Sequence, residues 1–77
     1  MTLKDMKKGM EAVVTGYGDG DMAYRAKLLA LGLTRGVKVK FVNQAPMGDP
    51  VEIELRGFHL SLRRSEAAVV NVVAVNG

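Results

Sequence analysis

Residues 51–56 alternate strictly between apolar and charged side chains, and this pattern constrains the fold more than any other segment. The alternating residues are Val51, Glu52, Ile53, Glu54, Leu55 and Arg56. A period of two puts the apolar set on one face of a β-strand and the charged set on the other. The segment therefore predicts a half-buried strand, with one face on a core and one face toward water.

Four more segments show strand character. Residues 11–17 are rich in β-branched side chains, residues 37–41 alternate apolar residues with lysine, and a short strand is expected over 58–62 after a tight turn at Gly57. Residues 69–75 are apolar except for Asn71, which predicts a last strand covered on both faces.

A helix is predicted over residues 22–31, because Tyr24, Leu28 and Leu31 fall at helical spacing. Asp21 is placed to cap its first turn, and Gly32 follows its last apolar residue. A single helical turn is predicted over residues 65–68, with Ser65 as its N-cap.

These elements predict a mainly β fold: about five short antiparallel strands with one inserted helix. Strand–helix–strand alternation does not recur, which argues against a parallel sheet. Short antiparallel strands hide their edges by curling into a small barrel, so an SH3-like barrel is expected first and an OB-type barrel second. At 77 residues the chain is expected to form one domain, residues 1–77.

Composition excludes several function classes. The absence of cysteine rules out disulfides, thiolate metal sites and a cysteine nucleophile. His59 is the single histidine, so no metal site and no cofactor are predicted. No third group completes a triad with His59 and Ser61, and catalysis is not expected. With no apolar run of membrane length and no signal peptide, we expect a cytoplasmic protein without direct membrane insertion.

The glycine-rich loop before the helix invites two ligand interpretations. Gly16, Gly18 and Gly20 lack the Gly-Lys-Ser/Thr of a phosphate-binding loop. Asp19 and Asp21 resemble only a fragment of a calcium loop, because the remaining ligands are absent. Turn geometry and helix capping explain these residues better than a bound ligand does.

Nucleic-acid binding is the main alternative function. The formal net charge is +3, from 11 Lys and Arg against 8 Asp and Glu. A basic patch would use Lys38, Lys40, Arg63 and Arg64. Only four aromatic residues are available for base stacking, so nucleic acid is not the expected partner. A weak transition-metal-binding regulatory domain is a further alternative.

Three segments in order resemble the FeoA-type proteins of ferrous iron transport. Residues 25–36 match R-x-x-L-x-x-L-G-(L/M)-x-x-G, residues 45–51 match A-P-(L/M)-G-D-P-(V/I), and residues 60–67 match L-x-L-R-x-x-(E/D)-A. The resemblance implies an SH3-like barrel without enzymatic activity. It also implies a partner: the cytosolic, GTPase-bearing portion of a FeoB-type membrane transporter of Fe(II).

Two exposed segments are the candidates for that contact, since loops and inserts carry function on small barrels. We name them together the docking surface. It comprises Met22, Tyr24, Arg25, Pro46, Met47, Asp49 and Pro50. Met, Tyr and Arg are also residue types enriched in interface cores, although Tyr24 fits a structural role equally well. The apolar last strand would in addition allow self-association.

Overall fold

The computed structural model describes residues 1–18 and 22–75. The elements run in the order 3₁₀ helix Leu3–Asp5, β1 Glu11–Tyr17, α1 Met22–Ala30, β2 Lys38–Gln44, β3 Val51–Leu55, β4 Phe58–Leu62, α2 Arg64–Ala67 and β5 Val70–Ala74. The predicted cap Asp21 and the calcium-loop fragment with Asp19 lie outside the described residues. Within those residues no helix has the length and apolarity that crossing a bilayer requires.

The five strands form one antiparallel sheet in the order β4-β3-β2-β1-β5. The mainly β architecture with one inserted helix is therefore the one that the sequence predicted. The register shifts between Val14 and Gly16 in β1 and between Phe41 and Asn43 in β2. Such bulges bend a strand and increase its twist, which lets a five-stranded sheet wrap around a small core.

The core is built from one face of every strand. Its sheet residues include Ala12, Val14, Val39, Phe41, Val51, Ile53, Leu55, Leu62, Val70 and Val72, all buried. Helix α1 adds Leu28, and the connection after it adds Leu33. The N-terminal segment adds Leu3 and Met6, a contribution that the sequence pattern did not reveal.

Strand β5 is covered on one face only, so the expectation of two covered faces is wrong. Val70 and Val72 face the core, whereas Val73 is 55% exposed. The outer edge of β5, by contrast, is partly closed: the Val72 N–H donates to the Met1 carbonyl at 2.9 Å, and Thr2 pairs with Asn71. An apolar run in this sequence therefore does not require that both faces of the strand are covered.

A two-residue turn joins β3 to β4, as the glycine at position 57 predicted. Arg56 has φ 50° and Gly57 has φ 85°. Two consecutive left-handed residues suit the right-handed twist of a hairpin. The turn sets the register Leu55 opposite Phe58 and Glu54 opposite His59. Glu52, Glu54 and His59 therefore lie together on the outer face of the sheet.

Helix α2 begins at Arg64, and Ser65 lies inside it, so the prediction of Ser65 as N-cap is wrong. The N-cap residue is Arg63. The first N–H groups are accepted by carboxylates instead: the Arg63 N–H by Glu66 Oε1 at 2.9 Å and the Arg64 N–H by Asp49 Oδ1 at 3.0 Å. The second of these acceptors comes from a loop 15 residues earlier in the chain.

Candidate docking surface

Helix α2 links the two segments of the docking surface. On one side, the Ser65 hydroxyl donates to the Tyr24 hydroxyl of α1 at 3.5 Å. On the other side, the Arg64 N–H donates to Asp49 of the loop at 3.0 Å. The residues predicted from two distant segments thus flank one short helix.

A buried carboxylate holds α2 against α1. Glu66 is 2% exposed, and its Oε2 lies 2.6 Å from the Lys27 Nζ. The Lys27 hydrogen bond holds the pKa of Glu66 below its ordinary value, against the opposing effect of burial. Sequence reasoning did not identify this pair, because its members are 39 residues apart and no local pattern connects them.

The loop between β2 and β3 is closed by its own backbone. The Gly48 N–H donates to the Ala45 carbonyl at 2.7 Å, and the Ala45 N–H donates to the Pro50 carbonyl at 3.0 Å. Gly48 has φ 83°, which favours glycine, and the Asp49–Pro50 peptide bond is cis. Pro46, Asp49 and Pro50 are exposed around this turn.

Met47 and Met22 are the most exposed apolar side chains of the docking surface. Met47, at the loop tip, is 89% exposed, and Met22, at the start of α1, is 74% exposed. Neither contributes to the core, so each is available for a contact. The exposure expected for Met47 from its proline-bounded loop is confirmed.

Tyr24 and Arg25 have different environments: Tyr24 packs on the core, and Arg25 is exposed. Tyr24 is half-buried and packs against the core. Arg25 is exposed, and its charge lies close enough to Tyr17 to oppose the rise that burial causes in the pKa of that phenol. Tyr24 therefore helps to hold α1 on the core, whereas the Arg25 side chain is exposed to solvent.

The remaining charged residues of the sheet interleave in sign. Glu11 of β1 lies opposite Lys40 of β2 in the register of the sheet. Lys40 lies opposite Glu54 of β3, and Glu54 lies opposite His59 of β4. Lys38 also pairs with Glu11, at 3.3 Å. A phosphate backbone is attracted by a continuous positive surface, and this face alternates charges instead. This alternation argues against a continuous basic patch around Lys38 and Lys40, whereas the other two residues of the predicted patch, Arg63 and Arg64, are exposed at the start of α2.

His59 is clamped between two carboxylates. Its Nδ1 lies 3.0 Å from Glu52 Oε1, and its Nε2 lies 3.1 Å from Glu54 Oε2. These hydrogen bonds, that to Glu52 foremost, raise the pKa of His59. Over residues 1–18 and 22–75, no group of three or more His, Asp or Glu side chains is arranged to hold a metal ion.

Comparison with known proteins connects this geometry to a family. The model of the FeoA domain matches residues 1–74. A curated relative, the Fe(2+) transport protein A/Fe(2+) transporter FeoB fusion protein of Porphyromonas gingivalis, is 30% identical over 76 residues. That match covers 99% of this chain and 9% of the fusion protein.

Two solved structures share the fold. FeoA from Chlorobium tepidum is 40% identical, with a TM-score of 0.89 over 100% of this chain and 72% of that chain. FeoA from Stenotrophomonas maltophilia in complex with zinc, a procaryotic SH3 domain protein, is 32% identical, with a TM-score of 0.83 over 95% of this chain and 89% of that chain. The fold is thus SH3-like, and the chain belongs to the FeoA domain family.

Proposed function

We propose that this protein is a non-enzymatic cytosolic accessory protein of ferrous iron uptake, which docks on the cytosolic, GTPase-bearing portion of a FeoB-type transporter. The observation that carries the proposal is the fusion relative, in which a segment similar to 99% of this chain belongs to the same polypeptide as a transporter. A tether of that kind keeps two modules at high effective concentration, so that even a weak contact is occupied.

The docking surface supports this role. It presents Met22, Arg25 and Met47 to solvent, residue types that interface cores favour. The Lys27–Glu66 ion pair and the Asp49–Arg64 hydrogen bond fix the segments that carry them. A surface that is already ordered loses less conformational entropy on binding than a flexible one does.

The grooves of the described surface support a contact role rather than catalysis. One groove, lined in part by Pro46, Pro50 and Ser61, has a volume of about 250 Å³, and another, beside His59 and Lys40, has about 320 Å³. Both grooves are broadly open to solvent, whereas a small-molecule site buries roughly 70–90% of the surface of its ligand. The paired carboxylates occupy both nitrogens of His59, which leaves the imidazole no open nitrogen for acid–base work.

The test is direct binding to the full-length FeoB-type transporter of the same organism in lipid nanodiscs. The tagged protein is titrated against the nanodiscs with no nucleotide, with GDP and with a non-hydrolysable GTP analogue. Empty nanodiscs and nanodiscs with an unrelated transporter are the controls. We expect saturable binding, and a dependence on nucleotide would indicate that the protein reads the GTPase state. Failure to bind in all three conditions would overturn the proposal.

A further inference from the structure

Helix α1 is apolar on two opposite sides. One side carries Tyr24 and Leu28 and continues to Leu31, and it packs on the core. The other side carries Met22, Ala26 and Leu29, at the spacing i, i+4, i+7, which lines them up along the helix. We call this second set the outer stripe.

The outer stripe faces solvent. Met22 is 74% exposed, Leu29 is 39% exposed, and Ala26 between them is exposed. A helix on the surface of a globular protein normally carries polar residues on its outward side. The inward side of α1 packs on the core, and no residue of the outer stripe belongs to the core or to the partly buried apolar residues packed against it.

Among the described residues, the exposed charge around the outer stripe is positive. Helix α1, sequence MAYRAKLLA, contains Arg25 and Lys27 and no acidic residue. At its C-terminal end, Arg56 Nη1 lies 3.8 Å from the position a Cβ would take on Gly32. The carboxylate that pairs with α1, Glu66, is buried and neutralised by Lys27. Asp19 and Asp21 precede the helix in the chain and lie outside the described residues.

We propose that the outer stripe is the binding site for an amphipathic helix of the transporter's cytosolic portion, one with acidic residues beside its apolar face. This inference rests on the proposed function and adds the chemistry of the partner. Side chains spaced i and i+4 form a ridge along a helix, and such a ridge packs into the grooves between the side chains of a second helix. Helix α1 has nine residues and is about 13 Å long, enough for two turns of a partner helix. An acidic border on that helix would pair with Arg25 and increase the association rate.

An anionic membrane fits these residues less well. Lipid-binding surfaces combine clusters of roughly four to eight cations with bulky apolar anchors, frequently aromatic. The Lys27 ammonium is bound to Glu66, which leaves two cations near the stripe, Arg25 on α1 and Arg56 near its C-terminal end. The stripe itself has no aromatic side chain. The charge and the apolar residues together favour a protein partner.

Ala26 is the position that tests the stripe. Ala26→Glu and Ala26→Lys introduce good helix formers at an exposed site, so both variants should fold as the wild type does. Binding to the full-length transporter in nanodiscs is then measured at low and high salt. We expect Ala26→Glu to weaken affinity about tenfold or more, because it puts a charge into the contact and repels an acidic partner. Ala26→Lys should weaken it less.

Three further variants separate the effect of charge on binding from an effect of misfolding. Arg25→Glu should weaken binding and reduce its sensitivity to salt, whereas Lys8→Glu, on the exposed turn before β1, should change neither. Met22→Glu repeats the stripe test at the most exposed position, should Ala26→Glu lower the unfolding temperature.

The outcomes distinguish this inference from the function on which it rests. If the wild type binds and Ala26→Glu, Met22→Glu and Arg25→Glu bind equally well, the outer stripe is not the binding site. The docking proposal would still stand. No wild-type binding overturns both. Binding to empty nanodiscs of phosphatidylglycerol and phosphatidylethanolamine, lost in Ala26→Glu, would make the stripe a lipid site and also overturn the inference.

Discussion

The ammonium of Lys27 and the carboxylate of Glu66, 2.6 Å apart, join the inserted helix α1 to the short helix α2. Glu66 is 2% exposed, and its second oxygen accepts the Arg63 N–H at 2.9 Å. Both oxygens of a buried carboxylate are thereby satisfied, which is the condition for burying such a group without a large penalty. The pair holds α1 against α2, and the hydrogen bond from the Arg64 N–H to Asp49 holds the loop on the other side of α2.

Replacing Lys27 with Met should destabilise the fold. The variant keeps an apolar side chain of similar length and leaves Glu66 buried without its cation, at a cost of about 1–3 kcal/mol in the free energy of unfolding. The Lys27 side chain is 57% exposed, so solvent screening places the effect toward the lower value. Urea unfolding at pH 7 measures it, with Lys8→Met as the exposed control. Equal midpoints for the two variants would contradict a stabilising role for the pair.

Replacing Asp49 with Ala should destabilise α2 through the loss of one acceptor. The Asp49 Oδ1 receives the Arg64 N–H at 3.0 Å, and removing a helix-capping side chain costs about 1 kcal/mol. Asp49→Asn retains an acceptor oxygen and serves as the matched control. Hydrogen exchange at the Arg64 amide, together with urea unfolding, measures the change. If Asn and Ala at this position lower stability equally, the cap is not the reason that Asp stands there.

The strands were predictable because their pattern is local. The period of two over residues 51–56, broken by Gly57, fixed β3, the hairpin turn and the start of β4, and the observed strand is Val51–Leu55. A strand of this kind shows its buried face in its own sequence. Helix α1 was predictable for the same reason, from Tyr24, Leu28 and Leu31.

Features that depend on distant residues were not predictable. Ser65 has the local signature of a cap, but Asp49 and Glu66 supply the acceptors, and only the folded chain brings Asp49 there. Residues 69–75 are apolar at every position except Asn71, so their pattern does not show which face of the strand is exposed. The exposure of Val73 could therefore not be predicted from them. The outer stripe could have been predicted from the sequence, because Met22, Ala26 and Leu29 repeat at helical spacing on the side opposite the core-facing residues.

His59 should titrate above its ordinary pKa in the folded protein. Both ring nitrogens must carry a proton to donate to Glu52 and Glu54 together, so the two hydrogen bonds favour the imidazolium form. Because the folded-state pKa of His59 is raised above its ordinary value of 6.5, this contribution to stability is fully present below pH 6.5. It is then lost as the pH rises through the folded pKa.

NMR titration of the His59 ring protons measures this shift. The midpoint of the wild type should lie above 6.5, and that of the double variant Glu52→Gln with Glu54→Gln should fall toward 6.5. The single variant Glu54→Gln should have the smaller effect, since the Glu52 hydrogen bond is the larger cause. A wild-type midpoint at or below 6.5 would show that the clamp does not persist in solution.

Met47 and Arg25 should each contribute to transporter binding without contributing to stability. Met47 is 89% exposed, and Arg25 is exposed on α1, so Met47→Ala and Arg25→Ala remove little intramolecular packing. Surface substitutions of this kind change the free energy of unfolding by about 0.5 kcal/mol or less. In the nanodisc assay we expect affinity to fall about threefold to tenfold for each variant, as truncation of interface side chains commonly produces.

The control for this pair is another exposed apolar residue outside the docking surface. Val73, on the outward side of β5, is 55% exposed, and Val73→Ala should leave affinity unchanged. Loss of binding in Val73→Ala, with Met47→Ala and Arg25→Ala unaffected, would move the contact from α1 and the loop to the outer face of the sheet. Loss of binding in Met47→Ala alone would restrict the contact to the loop. Loss of binding in Arg25→Ala alone would restrict the contact to α1, where the outer stripe also lies.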